Sequence, residues 1–115
     1  GKPLILEGGG GGMLDFTHID DLIEGITRTI IYDEARSQTF NLTYGNARPI
    51  SEIANIIKNK LPSTILKEAP AAQFKPKRGT LEIERAKKLI GFEPKKPINI
   101  GYSSFCDWYI EKWNT

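Results

Sequence analysis

Cysteine and histidine are nearly missing from this sequence, at one residue each in 115, Cys106 and His18. A lone cysteine cannot close an internal disulfide, and one histidine with one cysteine leaves no cluster for a structural metal. Cys106 falls in an aromatic helical pattern and reads as a buried structural thiol, which fits a reducing, cytoplasmic setting. No apolar run approaches the roughly 20 residues of a membrane-spanning helix, and no signal-peptide pattern is present, so no membrane partner is expected. Neither sign of charge is in large excess, the net being +2. That is too little to imply a nucleic-acid partner. The basic residues nevertheless gather in the second half, at Lys75, Lys77, Arg78, Arg85, Lys87, Lys88, Lys95 and Lys96. They read either as an anion-facing surface or as a solvated helix face. Nucleic-acid binding is set aside because these residues lack interleaved exposed aromatics in a loop or sheet.

Catalytic patterns are also lacking. Gly8 to Gly12 invite a dinucleotide-loop reading, but the Gly-x-Gly-x-x-Gly fingerprint does not close, since its last position falls on Met13 or Asp15. No Lys-Ser or Lys-Thr follows to make a nucleotide-triphosphate loop. The adjacent Asp20 and Asp21 point about 100° apart on a helix and make a poor acid/base pair. No tyrosine has a lysine four residues later, and no serine sits in a nucleophile elbow. His18, at a strand-to-helix corner, reads as structural. No catalytic, cofactor-binding or metal-binding residue is expected in this chain.

What is present is a soluble globular composition, 39% hydrophobic and 26% charged. The length suits one domain over residues 1–115. Leu4–Leu6 reads as a strand, the glycine run as a weakly ordered turn, and Leu14–Thr17 as a strand turning directly into a helix from Ile19. Thr17 is placed to cap that helix with Asp20, and Leu22, Ile23, Ile26 and Ile30 form its apolar stripe. Thr39–Leu42 alternates like a strand. Ser51 is a natural N-cap for a helix over Glu52–Leu61, with Thr64–Leu66 as the next strand. A third helix spans Glu82–Ile90, closed by Gly91, and a last one runs from Ile98 to Trp113 with Tyr102, Phe105, Trp108, Tyr109 and Trp113 as a packing face. This order predicts an α/β chain bordering α+β, with helices packed on a small, mostly parallel sheet.

Four stretches in order, DFTHIDDLIEGI, TFNLTYGNARPISEIANII, KRGTLEIERAKKLIGFEP and PINIGYSSFCDWYIEKW, resemble the C-terminal part of the extended short-chain dehydrogenase/reductases. These are the NAD-dependent sugar-nucleotide epimerases and dehydratases, and the resemblance covers nearly the whole chain. It implies the C-terminal portion of a Rossmann-type fold and a substrate-binding fragment whose N-terminal dinucleotide-binding domain lies elsewhere. The abrupt opening at Gly1, without an initiating methionine, agrees with that expectation. NAD(P) is then a cofactor of the full-length parent and not of this fragment. The implied partners are a nucleotide-diphosphate sugar and the N-terminal Rossmann domain; self-association of the fragment, as a homodimer, is expected separately, because a domain parted from its partner exposes surface.

Within the resemblance, Leu6 and Glu7 would lie beside the nucleotide base, and Arg78, or Lys77 in its place, would face the diphosphate. Arg78 has a physical case of its own, because a guanidinium in a basic loop beside Gly79 suits bidentate phosphate contact. In one place the sequence departs from the family. Many members carry a phosphate-contacting arginine immediately before the aspartate of the first stretch, where this chain has Leu14. The alternative to a substrate domain is a stand-alone binding or interaction module of the same fold.

Overall fold

Residues 1–113 are described by the structure, a computed structural model. Along the chain come β1 (Leu4–Glu7), a 3-10 turn at Gly8–Gly10, β2 (Met13–Leu14), α1 (Ile19–Ile31) and a second 3-10 turn at Asp33–Ala35. β3 (Arg48–Pro49), α2 (Ile50–Lys60), β4 (Leu66–Ala69), α3 (Glu84–Ile90) and α4 (Ile98–Trp113) complete it. The expected class holds: strands and helices alternate, and β1 and β4 pair in parallel. The chain divides into two compact units, one of residues 1–14, 48–78 and 98 onward, the other of residues 15–47 and 79–97.

In the first unit Leu4 and Leu6 are half-buried while Ile5 and Glu7 face out, as a one-sided strand requires. β4 starts two residues later than the Thr64–Leu66 predicted, because Thr64 is still closing the turn after α2, its N–H donating to the Leu61 carbonyl at 2.9 Å. The second predicted strand, Leu14–Thr17, shrinks to Met13–Leu14, paired antiparallel with Pro49 and Arg48. Ser51 is not the N-cap of α2. The helix starts one residue before it, with Pro49 at the cap position, and the Ile50 N–H donates to the Gly12 carbonyl at 2.9 Å.

That bond accounts for the glycine run, which has a defined shape where weak order was expected. Gly8, Gly9 and Gly10 all have positive φ, at 58°, 67° and 73°. Gly10 is buried, and a Cβ there would lie 2.9 Å from the Ser51 nitrogen. Only glycine lets the turn lie this close to the start of a helix. α2 also packs on α4, where Lys60 Nζ meets Asp107 Oδ1 at 2.6 Å and Ile98, Gly101 and Cys106 are buried. Cys106 is thus the buried thiol the sequence predicts. The predicted packing face of α4 is only partly one: Tyr102 is half-buried, but Phe105, Trp108, Tyr109 and Trp113 are about half exposed or more, with neighbouring rings 5.7–6.4 Å apart.

In the second unit the core is Ile83, Ala86, Ile90 and Phe92, with Phe40, Leu42 and Leu89 packed against it. Gly91 ends α3 in the left-handed conformation at φ 62°, and the Phe92 N–H returns to the Ala86 carbonyl, which turns Phe92 inward. α1 is capped by His18, whose Nδ1 accepts from the Asp20 N–H at 3.1 Å, and not by Thr17. The Thr17 hydroxyl is engaged instead by the Tyr44 N–H at 3.1 Å. Of the predicted stripe of α1, Leu22 is half-buried but Ile23, Ile26 and Ile30 face outward, Ile23 and Ile30 at 54% and 77% exposed. Its inner face is Asp21 and Gly25, where a Cβ would press on Phe92 and Leu42 at 3.0–3.1 Å. Thr39–Leu42 keeps its alternation, Phe40 and Leu42 turning to the core, but it has no ladder partner among the described residues and is not a strand.

Candidate functional site

Parallel pairing of β1 with β4 brings two loops out at one edge. Leu6 lies opposite Glu68 and Glu7 opposite Ala69, so the glycine turn and the loop of residues 70–78 both leave from carboxyl ends of strands. In open α/β sheets that edge is where ligands bind. The loops touch there. Lys75 Nζ lies 2.5 Å from Glu7 Oε2, and a Cβ on Gly8 would lie 3.1 Å from that of Ala71.

Of the four residues singled out from the sequence, Leu6 and Glu7 form the end of β1, Leu6 half-buried and Glu7 exposed. Lys77 and Arg78 are exposed at the end of the same loop and have no ion-pair partner among the described residues. The contact joining β1 to the loop is made by Lys75, which sequence reasoning did not single out.

It also missed Phe74. This side chain is 99% exposed, and its backbone has φ +64°, a conformation rare for a residue with a Cβ. Holding it costs of order 1–3 kcal/mol. Phe74 is also an exposed aromatic among basic loop residues, the pattern whose absence argued against nucleic acid. The signal was an aromatic within AAQFKPKR, flanked by turn-forming residues and positive charge.

Leu14 has Arg48 as its direct cross-strand partner. Opposed residues share a face, so a guanidinium stands beside the position where many family members carry theirs. Arg48 is closed on Glu52, its Nε and Nη2 donating at 2.7 and 3.1 Å.

Several other titratable groups are engaged structurally. Asp21, buried, accepts from the Lys95 and Lys96 N–H groups at 3.0 and 2.9 Å, and Asp20 pairs with the Lys96 ammonium. The Lys96 hydrogen bond and charge hold the Asp20 carboxyl below its ordinary range. The Glu24 carboxylate raises Arg28 further, and burial pushes Tyr102 and Cys106 up. A raised thiol is a poor nucleophile at neutral pH. No group of three metal-ligating side chains occurs among the described residues. No helix among them is long and apolar enough to cross a membrane.

No family model matches the sequence. Individual relatives do. The uncharacterized protein MJ1055 of Methanocaldococcus jannaschii is 31% identical over 96% of this chain and 34% of its own length. UDP-glucuronic acid decarboxylase 1 of Danio rerio is 28% identical over 95% of this chain and 26% of its own. Among solved structures, the epimerase Mth375 of Methanothermobacter thermautotrophicus superposes with a TM-score of 0.88 at 25% identity, over 98% of this chain and 34% of that one. The fold is that of the C-terminal part of the extended short-chain dehydrogenase/reductases. The UDP-glucuronic acid 4-epimerase of Bacillus cereus, solved in complex with UDP-glucuronic acid and NAD, shares this fold. It has a TM-score of 0.83 at 22% identity and is matched over 97% of this chain and 36% of that one. The chain therefore spans about a quarter to a third of the proteins it matches.

Proposed function

We propose that this chain is the substrate-binding part of an NAD(P)-dependent nucleotide-sugar epimerase or dehydratase and holds the nucleotide diphosphate of the sugar substrate. The observation that carries the reading is the shared carboxyl edge of β1 and β4. There the end of β1 and a basic loop are tied together by the Glu7–Lys75 pair, leaving Lys77 and Arg78 exposed beside it. Likeness along nearly the whole chain to a decarboxylase named for UDP-glucuronic acid supplies the substrate class.

Each residue then has a physical task. Leu6, half-buried, offers an apolar flank to the base, and Glu7 limits the approach of Lys75 to the ligand by holding its ammonium. Arg78 presents a planar fork of donors matched to two phosphate oxygens, and Lys77 adds a point charge. NAD(P), bound outside this chain, would supply reversible hydride transfer. By this reading the dinucleotide-binding Rossmann domain and the proton-transferring residues belong to the rest of the parent protein, and this chain alone catalyses nothing. The outward isoleucine face of α1 favours that arrangement over a stand-alone module, because a surface stripe of this kind calls for a partner.

Calorimetric titration with UDP-glucuronic acid tests the site. Binding that falls at least about ten-fold in Arg78→Ala, as expected for loss of a charge-assisted pair, supports it. Unchanged binding in Arg78→Ala together with Lys77→Ala would remove these residues from the site.

A further inference from the structure

We infer that Phe74 is the stacking residue for the nucleobase, the aromatic half of a site whose anionic half is read by the basic residues after it. The inference rests on the proposed substrate reading and adds an aromatic stacking partner for the base to the apolar flank that Leu6 offers there.

Phe74 combines features that a passive loop residue has no reason to combine. Its ring is 99% exposed, so it contributes nothing to packing. Its backbone is held at φ +64°, where glycine would be unstrained. Neither feature benefits the free protein. Both make sense if a planar partner covers the ring when bound, because every base presents a π-face and an aromatic side chain stacks on it whatever its identity.

The loop is tied down just where such a partner would lie. Ala71, three residues before Phe74, packs on Gly8, and Lys75, immediately after it, is held by Glu7. The ring is therefore carried at the carboxyl edge of β1 and β4, and the chain reaches Lys77 and Arg78 within four residues of it. A nucleoside diphosphate has this pattern, a flat ring at one end and two phosphates a ribose away. Inorganic pyrophosphate offers only the second half, and a single-stranded oligonucleotide offers many copies of both.

The test is equilibrium binding of UDP, inorganic pyrophosphate and a thymidine oligonucleotide to the full chain, as wild type, Phe74→Ala and Phe74→Trp, with each variant's thermal unfolding recorded. The expected result is a loss of UDP affinity of about 5- to 150-fold in Phe74→Ala, the range for one aromatic–base stack. Pyrophosphate affinity should be unchanged, Phe74→Trp should bind as wild type or more tightly, and the melting temperatures should coincide. Equal UDP affinity in wild type and Phe74→Ala would overturn the assignment while leaving the diphosphate site standing. Wild type that binds neither UDP nor pyrophosphate would overturn the substrate reading and this assignment with it. Preference for the oligonucleotide, weakening steeply with salt, would reassign Phe74 to nucleic-acid contact.

Discussion

Asp15 organises the turn region of the second unit. Its carboxylate accepts from the Thr43 hydroxyl at 2.9 Å, the Gly45 N–H at 3.1 Å and the Leu81 N–H at 3.2 Å, joining three segments remote in sequence. Asp15→Ala strands all three donors and should lower stability in urea denaturation by about 1.5–3 kcal/mol. A loss below about 0.5 kcal/mol would mean water replaces the carboxylate at no cost. Asp20 acts through charge instead. Lys96 lowers its folded-state value, so the stability it contributes is complete above the unfolded carboxyl value near 4. It is lost as the pH falls through the lowered folded value. Asp20→Asn should flatten that part of the acid limb and leave the neutral region little changed; acid limbs that superimpose would contradict this. Neither role could be read in DFTHIDD. The sequence pattern showed that polar groups sit at a helix start, but their partners at positions 43–45, 81 and 95–96 are set by the fold alone.

Helices are the elements local sequence specifies best, and here all four lie within a residue or two of their predicted spans. Propensity, an apolar period and Gly91 are signals carried by neighbours in the chain. Strands are different, because pairing is decided elsewhere. Thr39–Leu42 shows the alternation of a strand and does send Phe40 and Leu42 inward, yet nothing among the described residues supplies a ladder. Caps went the same way: Ser51 has the chemistry of an N-cap, but the Gly12 carbonyl reaches the helix start first. This last point gives a sharp test. Gly10→Ala adds a Cβ 2.9 Å from the Ser51 nitrogen at a left-handed position, and should destabilise by about 2–4 kcal/mol. Gly12→Ala meets only the flexible end of Ile50 at 3.5 Å and should stay within about 0.5 kcal/mol. Equal melting temperatures for the two variants would show that the turn is not held against α2. The candidate site was legible in part. Leu6, Glu7, Lys77 and Arg78 could be chosen by resemblance, whereas the Glu7–Lys75 pair depends on the β1–β4 register and the exposure of Phe74 on the path of its loop.

At the scale of the molecule, two features point outward from this chain: the isoleucines of α1 and the aromatic row of α4. A helix apolar on its solvent side is ordinarily covered. If α1 docks on the remainder of a longer parent, Ile23→Lys should cost within about 0.5 kcal/mol in this chain alone, where the site is open. In the longer protein, where the charge would be buried, the cost should rise to about 2 kcal/mol or more. Equal small losses in both contexts would show that α1 stays exposed in the parent.

On the proposed function, the carboxyl edge of β1 and β4 binds a nucleoside-diphosphate sugar and this chain does not bind the dinucleotide. The most direct measurement is an amide-resolved NMR titration of the chain with UDP-glucuronic acid and, separately, with NAD. Shifts are expected only at Leu6 through Gly10 and in the loop from Ala71 to Arg78 with the sugar nucleotide, and none with NAD. Shifts centred on α4 or α1, or a response to NAD and not to UDP-glucuronic acid, would contradict it.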